Sequence, residues 1–261
     1  MTVNSYLKGL ASDLVISSDE KSSISISITT LILRLKSYFG SGITNHFQFG
    51  SSTRGTILPR KADNKSDIDY MVVFDTSDGK KKPQTYLSRL KKFAENKYST
   101  SEIYQSHPTI VLSLNHIKFE LVPAIFDWGY QIPSPASDWV DWISTDPNAT
   151  NQALIDKNTY ENYKIKPLVR LIKYWNACQG HPYASFSLER YIVNQSYWFC
   201  SSINEYFYSF WSNFDYSWGT AQYIKDKVDR AKACARKAKE YENDGMPVYA
   251  ENEIKKIVPE L

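Results

Sequence analysis

The chain has 261 residues, 31 Lys and Arg against 28 Asp and Glu for a net charge of +3, and 15% aromatic residues, with 19 Tyr and 7 Trp. That length supports one elaborated domain or two small lobes with real cores, and the mild positive charge suits an anionic ligand without implying a nucleic-acid-binding surface. No apolar run approaches the ~18 residues of a membrane span, and Cys178, Cys200 and Cys234 form neither a disulfide framework nor a zinc pattern. The first residues, MTVNSYLKGLASDL, lack the basic-then-apolar layout of a signal peptide. A cytoplasmic protein in a reducing compartment, with no membrane partner, is expected.

In chain order, Tyr6, Leu7, Leu10 and Leu14 recur at helical spacing and predict a short amphipathic helix over residues 1–15. Ser17-Ser18-Asp19-Glu20 supplies capping residues for a second helix. Its stripe is Ile24, Ile28, Leu31, Ile32, Leu35 and Phe39, and Gly40 and Gly42 stop it. Phe47-Gln48-Phe49 then reads as the end of a strand.

The stretch from Phe47 to Phe74, FQFGSSTRGTILPRKADNKSDIDYMVVF, is the most informative in the chain. After the first strand comes Gly50-Ser51-Ser52 and a positively charged, glycine-punctuated turn. The stretch closes on a second strand headed by Asp67-Ile68-Asp69. Side chains alternate along a strand, so Ile68, Tyr70, Val72 and Phe74 share one face. Asp67 and Asp69 share the other, with Cα atoms roughly 7 Å apart. Two such carboxylates repel unless a cation lies between them, and hard oxygen ligands on a rigid strand suit Mg²⁺. The small polar loop beside them offers N–H groups and hydroxyls to a phosphate. A lone Asp-x-Asp is usually strand-end polarity and a lone Gly-Ser pair usually a turn; the combination points to metal-dependent phosphoryl transfer.

Further on, residues 78–83 (DGKKKP) form a charged turn, solvated by default. Leu87, Leu90 and Phe93-Ala94 mark a helix ending before Tyr98. Residues 108–114 and 116–122 alternate like a hairpin joined near Asn115, which carries Glu120 back beside the aspartates. From Phe126 to Asn148 no period is evident, and residues 123–148 are the expected crossing between lobes. The second half reads as helical. Leu168, Leu171, Ile172 and Trp175 make a buried stripe behind Pro167, and Lys166, Arg170 and Lys173 line a different face, as solvated triplets commonly do. Ser185 opens Ser185-Phe186-Ser187-Leu188-Glu189 and reads locally as a helix cap. Residues 190–218 are dense in aromatics and predict a core. Residues 225–239 carry seven Lys or Arg against two Asp; this basic helix side is either solvated or faces RNA, DNA or another negatively charged partner.

Gly50-Ser51-Ser52-Thr53-Arg54-Gly55-Thr56 followed by Ser66-Asp67-Ile68-Asp69 resembles the signature of the DNA polymerase β-type nucleotidyltransferases. The fuller pattern, GSxxRGTxL then SDIDxxVVF, is most similar to the bacterial CD-NTases (cGAS/DncV-like nucleotidyltransferases), relatives of the oligoadenylate synthetases. The resemblance implies an α+β fold: a polymerase β-like lobe of mixed sheet and helices (residues 1–148), then a C-terminal helical lobe (149–261), with the nucleotide in the cleft between. It also asks for a third acid in an "hDhVP" setting. Ile117-Lys118-Phe119-Glu120-Leu121-Val122-Pro123 supplies the setting, with Glu120 in place of the usual Asp, one methylene longer and so about 1.5 Å further out.

The family then implies catalytic and metal-binding roles for Asp67, Asp69 and Glu120 with two Mg²⁺ ions, Mn²⁺ being the substitute. Nucleotide contacts fall to Gly50, Ser51, Ser52, Arg54, Lys173 and Ser185. Lys173 matches the lysine of an "LhKhWN" helix and Ser185 the first serine of "SYxLE". The implied substrates are ATP and also GTP, UTP or CTP, and the implied activity is synthesis of cyclic or linear oligonucleotide messengers in antiphage defence, under a nucleic-acid or protein activator. Two alternatives stay open: transfer to a tRNA, protein or small-molecule acceptor, and a catalytically impaired module that binds nucleotide as a sensor.

Overall fold

A computed structural model describes residues 2–134 and 140–261. The elements in order are α1 (Val3–Asp13), α2 (Ser18–Phe39), β1 (Ile43–Phe49), α3 (Ser51–Arg54), β2 (Asp67–Phe74), α4 (Pro83–Lys97), β3 (Glu102–Ser106), β4 (Thr109–Ser113), β5 (Lys118–Phe126), β6 (Tyr130–Pro133) and β7 (Trp142–Thr145). Helices follow to the end: α5 (Pro147–Tyr160), α6 (Ile165–Cys178), α7 (Ser185–Asn194), α8 (Ile203–Asn213), α9 (Gln222–Asn243) and α10 (Pro247–Lys255).

The chain forms two compact units, residues 17–60 with 65–152, and residues 1–16 with 61–64 and 153–261. The sequence reading divides the chain once, between 148 and 149; the compact units instead group the first sixteen residues with the helices. The physical reason lies in α1, whose Tyr6, Leu7 and Leu10 are buried and whose Tyr6 hydroxyl donates to the Val258 carbonyl at 2.7 Å.

In the sheet-bearing unit the strand order is β1-β2-β5-β4-β3, with β6 continuing from β5 and β7 from β6. β2 and β5 run parallel; the other pairs are antiparallel. β2 is buried from Tyr70 to Phe74 because both its faces are covered. On one face Phe74 meets Phe39 of α2 at 5.3 Å and Tyr86 of α4 at 5.0 Å, between ring centroids. On the other, Met71, Val73 and Ala124 pack under Phe47, Phe49, Tyr130 and Ile132. α2 starts where Ser17 accepts the Glu20 N–H and stops at Gly40, whose φ of 52° lies in the left-handed region.

The unpatterned stretch after Phe126 contains β6 and β7. Four-residue strands are too short for alternation to stand out from their surroundings. Within that stretch, residues 135–139 lie outside the described residues.

The helical unit is held by aromatic packing. Trp175 of α6 meets Trp211 of α8 edge to face at 4.8 Å, and Phe210 stacks on Phe214 at 4.9 Å. Among the described residues no helix is long and apolar enough to cross a membrane.

Candidate active site

The parallel β2–β5 ladder sets the site. Its register places Asp67 opposite Lys118 and Asp69 opposite Glu120. Strand alternation then puts all four side chains on one face, at the head of the apolar row Met71, Val73, Ala124. β4 holds β5 from the far side, with Val111 opposite Glu120. The hairpin read from the sequence therefore does bring Glu120 beside the aspartates.

Asp69 packs against the turn that follows β1, where Phe49 pairs with it. A Cβ on Gly50 would lie 1.9 Å from Asp69 Oδ2, and Gly50 has φ +75°. Only glycine satisfies both conditions, so Gly50 lets the carboxylate and the loop backbone meet. The two serines behind it differ. Ser52 Oγ accepts from Gln48 Nε2 at 2.7 Å and donates to the Phe49 carbonyl at 3.1 Å. The half-buried Ser51 has a hydroxyl that makes no hydrogen bond among the described residues, while its carbonyl receives the Thr56 and Ile57 N–H groups. Arg54 is buried, its Nη1 donating to Asn151 Oδ1 at 3.2 Å.

Asp67 and Glu120 turn toward Lys118. Its Nζ is 3.3 Å from Asp67 Oδ2 and 3.2 Å from Glu120 Oε1. Burial raises the Glu120 carboxyl above its ordinary range; the Asp67 charge adds to this and the Lys118 ammonium opposes it. Burial works against the Lys118 ammonium, yet the two carboxylates outweigh it and its pKa rises. Lys118 carries no role in the sequence reading. Its signal was the same alternation that found Glu120, two residues away on one strand face.

The carboxylate oxygens are the hard donors that Mg²⁺ prefers, and the ladder fixes their backbones side by side. As the side chains stand, no three His, Cys, Asp or Glu among the described residues are gathered to hold a metal ion. Asp69 leans on Gly50, and Asp67 and Glu120 lean on Lys118. The donor set thus fits the ion chemically, while Asp67 and Glu120 are here directed at Lys118.

Lys173 and Ser185 belong to the helical unit. Lys173 is buried in α6 rather than solvated. Ser185 is the first residue of α7; Ala184 takes the cap position and no side chain caps the helix.

A mixed sheet with a Gly-Ser turn and two aspartates heading the neighbouring strand is the arrangement that the resemblance to polymerase β-type nucleotidyltransferases implies. Residues 1–158 match the model of the Second Messenger Oligonucleotide or Dinucleotide Synthetase domain. The chain belongs to that family.

A probable cyclic nucleotide synthase of Bacillus cereus strain VD146 is 30% identical over 114 residues, 39% of this chain and 34% of that protein. The chain thus covers about a third of the length of that curated relative. Among solved structures, the Vibrio cholerae DncV cyclic AMP-GMP synthase with a linear intermediate superposes with TM-score 0.75 at 12% identity, over 95% of this chain and 92% of that one. CdnC of E. coli MS115-1 with ATP gives 0.73 at 15% identity, over 97% and 96%. CdnG of Bradyrhizobium diazoefficiens with GTP gives 0.70 at 10%, over 98% of each. At such identities these likenesses concern the fold.

Proposed function

We propose that the chain is a divalent-metal-dependent nucleotidyltransferase that joins nucleoside triphosphates into cyclic or linear oligonucleotides. The observation that carries this reading is Asp69 in register with Glu120, with Asp67 on the same face and Gly50 against Asp69. Two Mg²⁺ ions, or Mn²⁺, would supply charge stabilisation at the attacking and leaving oxygens. Asp67 and Asp69 would hold both, and Glu120 would share the one nearer the acceptor hydroxyl. The Ser51 hydroxyl and the N–H groups at Gly50 and Ser52 would orient the β- and γ-phosphates. The acceptor 2′- or 3′-oxygen then bonds to the α-phosphorus, pyrophosphate departs in line and the hydroxyl proton passes to solvent.

Relatives solved with ATP, with GTP and with a linear dinucleotide intermediate support triphosphates as substrates. The CdnC:HORMA complex supports a protein activator, and the family resemblance supports a role in antiphage defence. Contacts from Arg54, Lys173 and Ser185 to the nucleotide rest on the resemblance; weaker nucleotide binding by Lys173→Ala or Ser185→Ala tests that part by itself.

The test of the whole is incubation with all four triphosphates and Mg²⁺ or Mn²⁺, with products read by mass spectrometry. A phosphatase-resistant cyclic or 2′-5′-linked product is expected from the wild type and none from Asp67→Asn. Nucleotide binding with no pyrophosphate release under any addition, RNA and candidate activators included, would leave a binding module in its place.

A further inference from the structure

We infer that Lys118 is a resident counter-cation of the acidic site, which neutralises Asp67 and Glu120 in the metal-free protein and must swing away before an ion can be shared between them. The inference rests on the metal-dependent reading above and deepens it.

Three observations carry it. The first is placement. Lys118 stands opposite Asp67 and two residues before Glu120, so it fills the fourth corner of a square whose other corners are the three acids. The face therefore carries a formal charge of −2 in place of −3. The second is distance. One ammonium nitrogen reaches oxygens of both carboxylates, at 3.3 and 3.2 Å, and so occupies the space between the two. The third is disposition. With Asp67 and Glu120 drawn onto the ammonium and Asp69 against Gly50, the described residues present no ready cage of three acids.

The chemistry allows this arrangement to be reversible. Lysine is a point charge on a flexible four-carbon stem, with no fixed fork to lock it in place. The lysine, both acids and their solvent access are comparable, each side chain being about a quarter exposed. A divalent ion carries twice the charge at a similar distance and can displace the ammonium, at a penalty equal to the lost ion pairs. Lys118 accordingly raises the metal concentration required by an ion shared between Asp67 and Glu120.

The experiment is Mn²⁺ titration of the full chain without nucleotide, followed by the electron paramagnetic resonance signal of free Mn²⁺. The variants are Lys118→Met, Lys118→Gln, Lys118→Arg and Asp67→Asn. Removing the charge is expected to tighten Mn²⁺ binding about tenfold, the order of effect one charge has at contact distance in a near-aqueous setting. Lys118→Arg keeps the charge and should stay near wild type. Melting curves in EDTA supply a second readout: both neutral variants should melt lower than wild type without metal and recover when Mn²⁺ is added. Unchanged or weaker Mn²⁺ binding in the folded neutral variants, with wild-type binding still lost in Asp67→Asn, overturns the role of Lys118 alone. Wild-type protein with no Mn²⁺ binding that depends on Asp67 overturns the metal-dependent reading and this inference with it.

Discussion

The sheet-bearing unit and the helical unit both draw carboxylates out of water, and they treat them in opposite ways. In the helices Glu161 and Glu253 are each matched by their own donors. Glu161 is buried and accepts from Lys157 at 2.8 Å and the Tyr206 hydroxyl at 2.7 Å. Glu253 has Lys256 at 2.7 Å and Lys237 at 3.3 Å. The exposed Glu205 is matched too, receiving the N–H groups of Ser201 and Ser202 at 2.7 and 2.9 Å. At the head of β2 and β5 three acids converge with Lys118 among them. Acids whose partners match them hold structure; the three acids here outnumber their one lysine, and on the proposed function that excess is what a cation would meet.

The sharpest way to break this contrast is Asp67→Asn or Asp69→Asn. Either should lower product formation on the order of a thousandfold or more while the melting temperature stays level or rises, since like-charge repulsion is relieved. Residual turnover near the wild-type rate would show that the excess acids serve no ion.

Gly50→Ala comes next. Its Cβ would collide with the Asp69 carboxylate, and the left-handed backbone adds strain. A loss of turnover of roughly a hundredfold is expected from the displaced carboxylate, against about 1–2 kcal/mol of stability. Comparing steady-state rates with urea denaturation of the same sample separates the two.

In the helical unit the balance should invert. Glu161→Ala leaves Lys157 and the buried Tyr206 hydroxyl without their acceptor and should cost about 2–3 kcal/mol in chemical denaturation. Mn²⁺ affinity at the acidic site should not move.

The smallest effect is at Glu205. The Ser201 and Ser202 amides pull its carboxyl down to about 2. A depressed carboxyl contributes stability that is present above the ordinary carboxylate range and is lost as pH falls toward 2. Glu205→Gln should therefore melt below wild type at neutral pH, by about 0.5–1 kcal/mol, and the two melting curves should converge in acid. A gap that persists at pH 2 would assign the effect to packing.

The acidic site was largely legible in the sequence because its parts obey local rules. Period-two alternation places Asp67 and Asp69 together, and a short hairpin returns Glu120. The Gly50 requirement was visible only as a turn, because its cause is an approach by Asp69 across a ladder that no local window contains. Lys118 was passed over for a similar reason: a lysine on a strand has many solvated outcomes, and the register with Asp67 selects this one. β6 and β7 were unreadable because each is too short to show a period. The placement of α1 with the distant helices was also hidden, since an amphipathic stripe states that it needs a cover and not which one.

The parallel pairing of β2 with β5 carries a consequence for folding. Asp69 and Glu120 face one another across strands whose residues are roughly fifty positions apart, with α4 and the β3–β4 hairpin in between. Ladders of that kind close late, because a long loop must be ordered before any contact repays it. Helices and hairpins can form earlier without producing a single acidic cluster. The acidic cluster is thus a property of the finished sheet, and a nascent or partly unfolded chain that still holds all its helices lacks it.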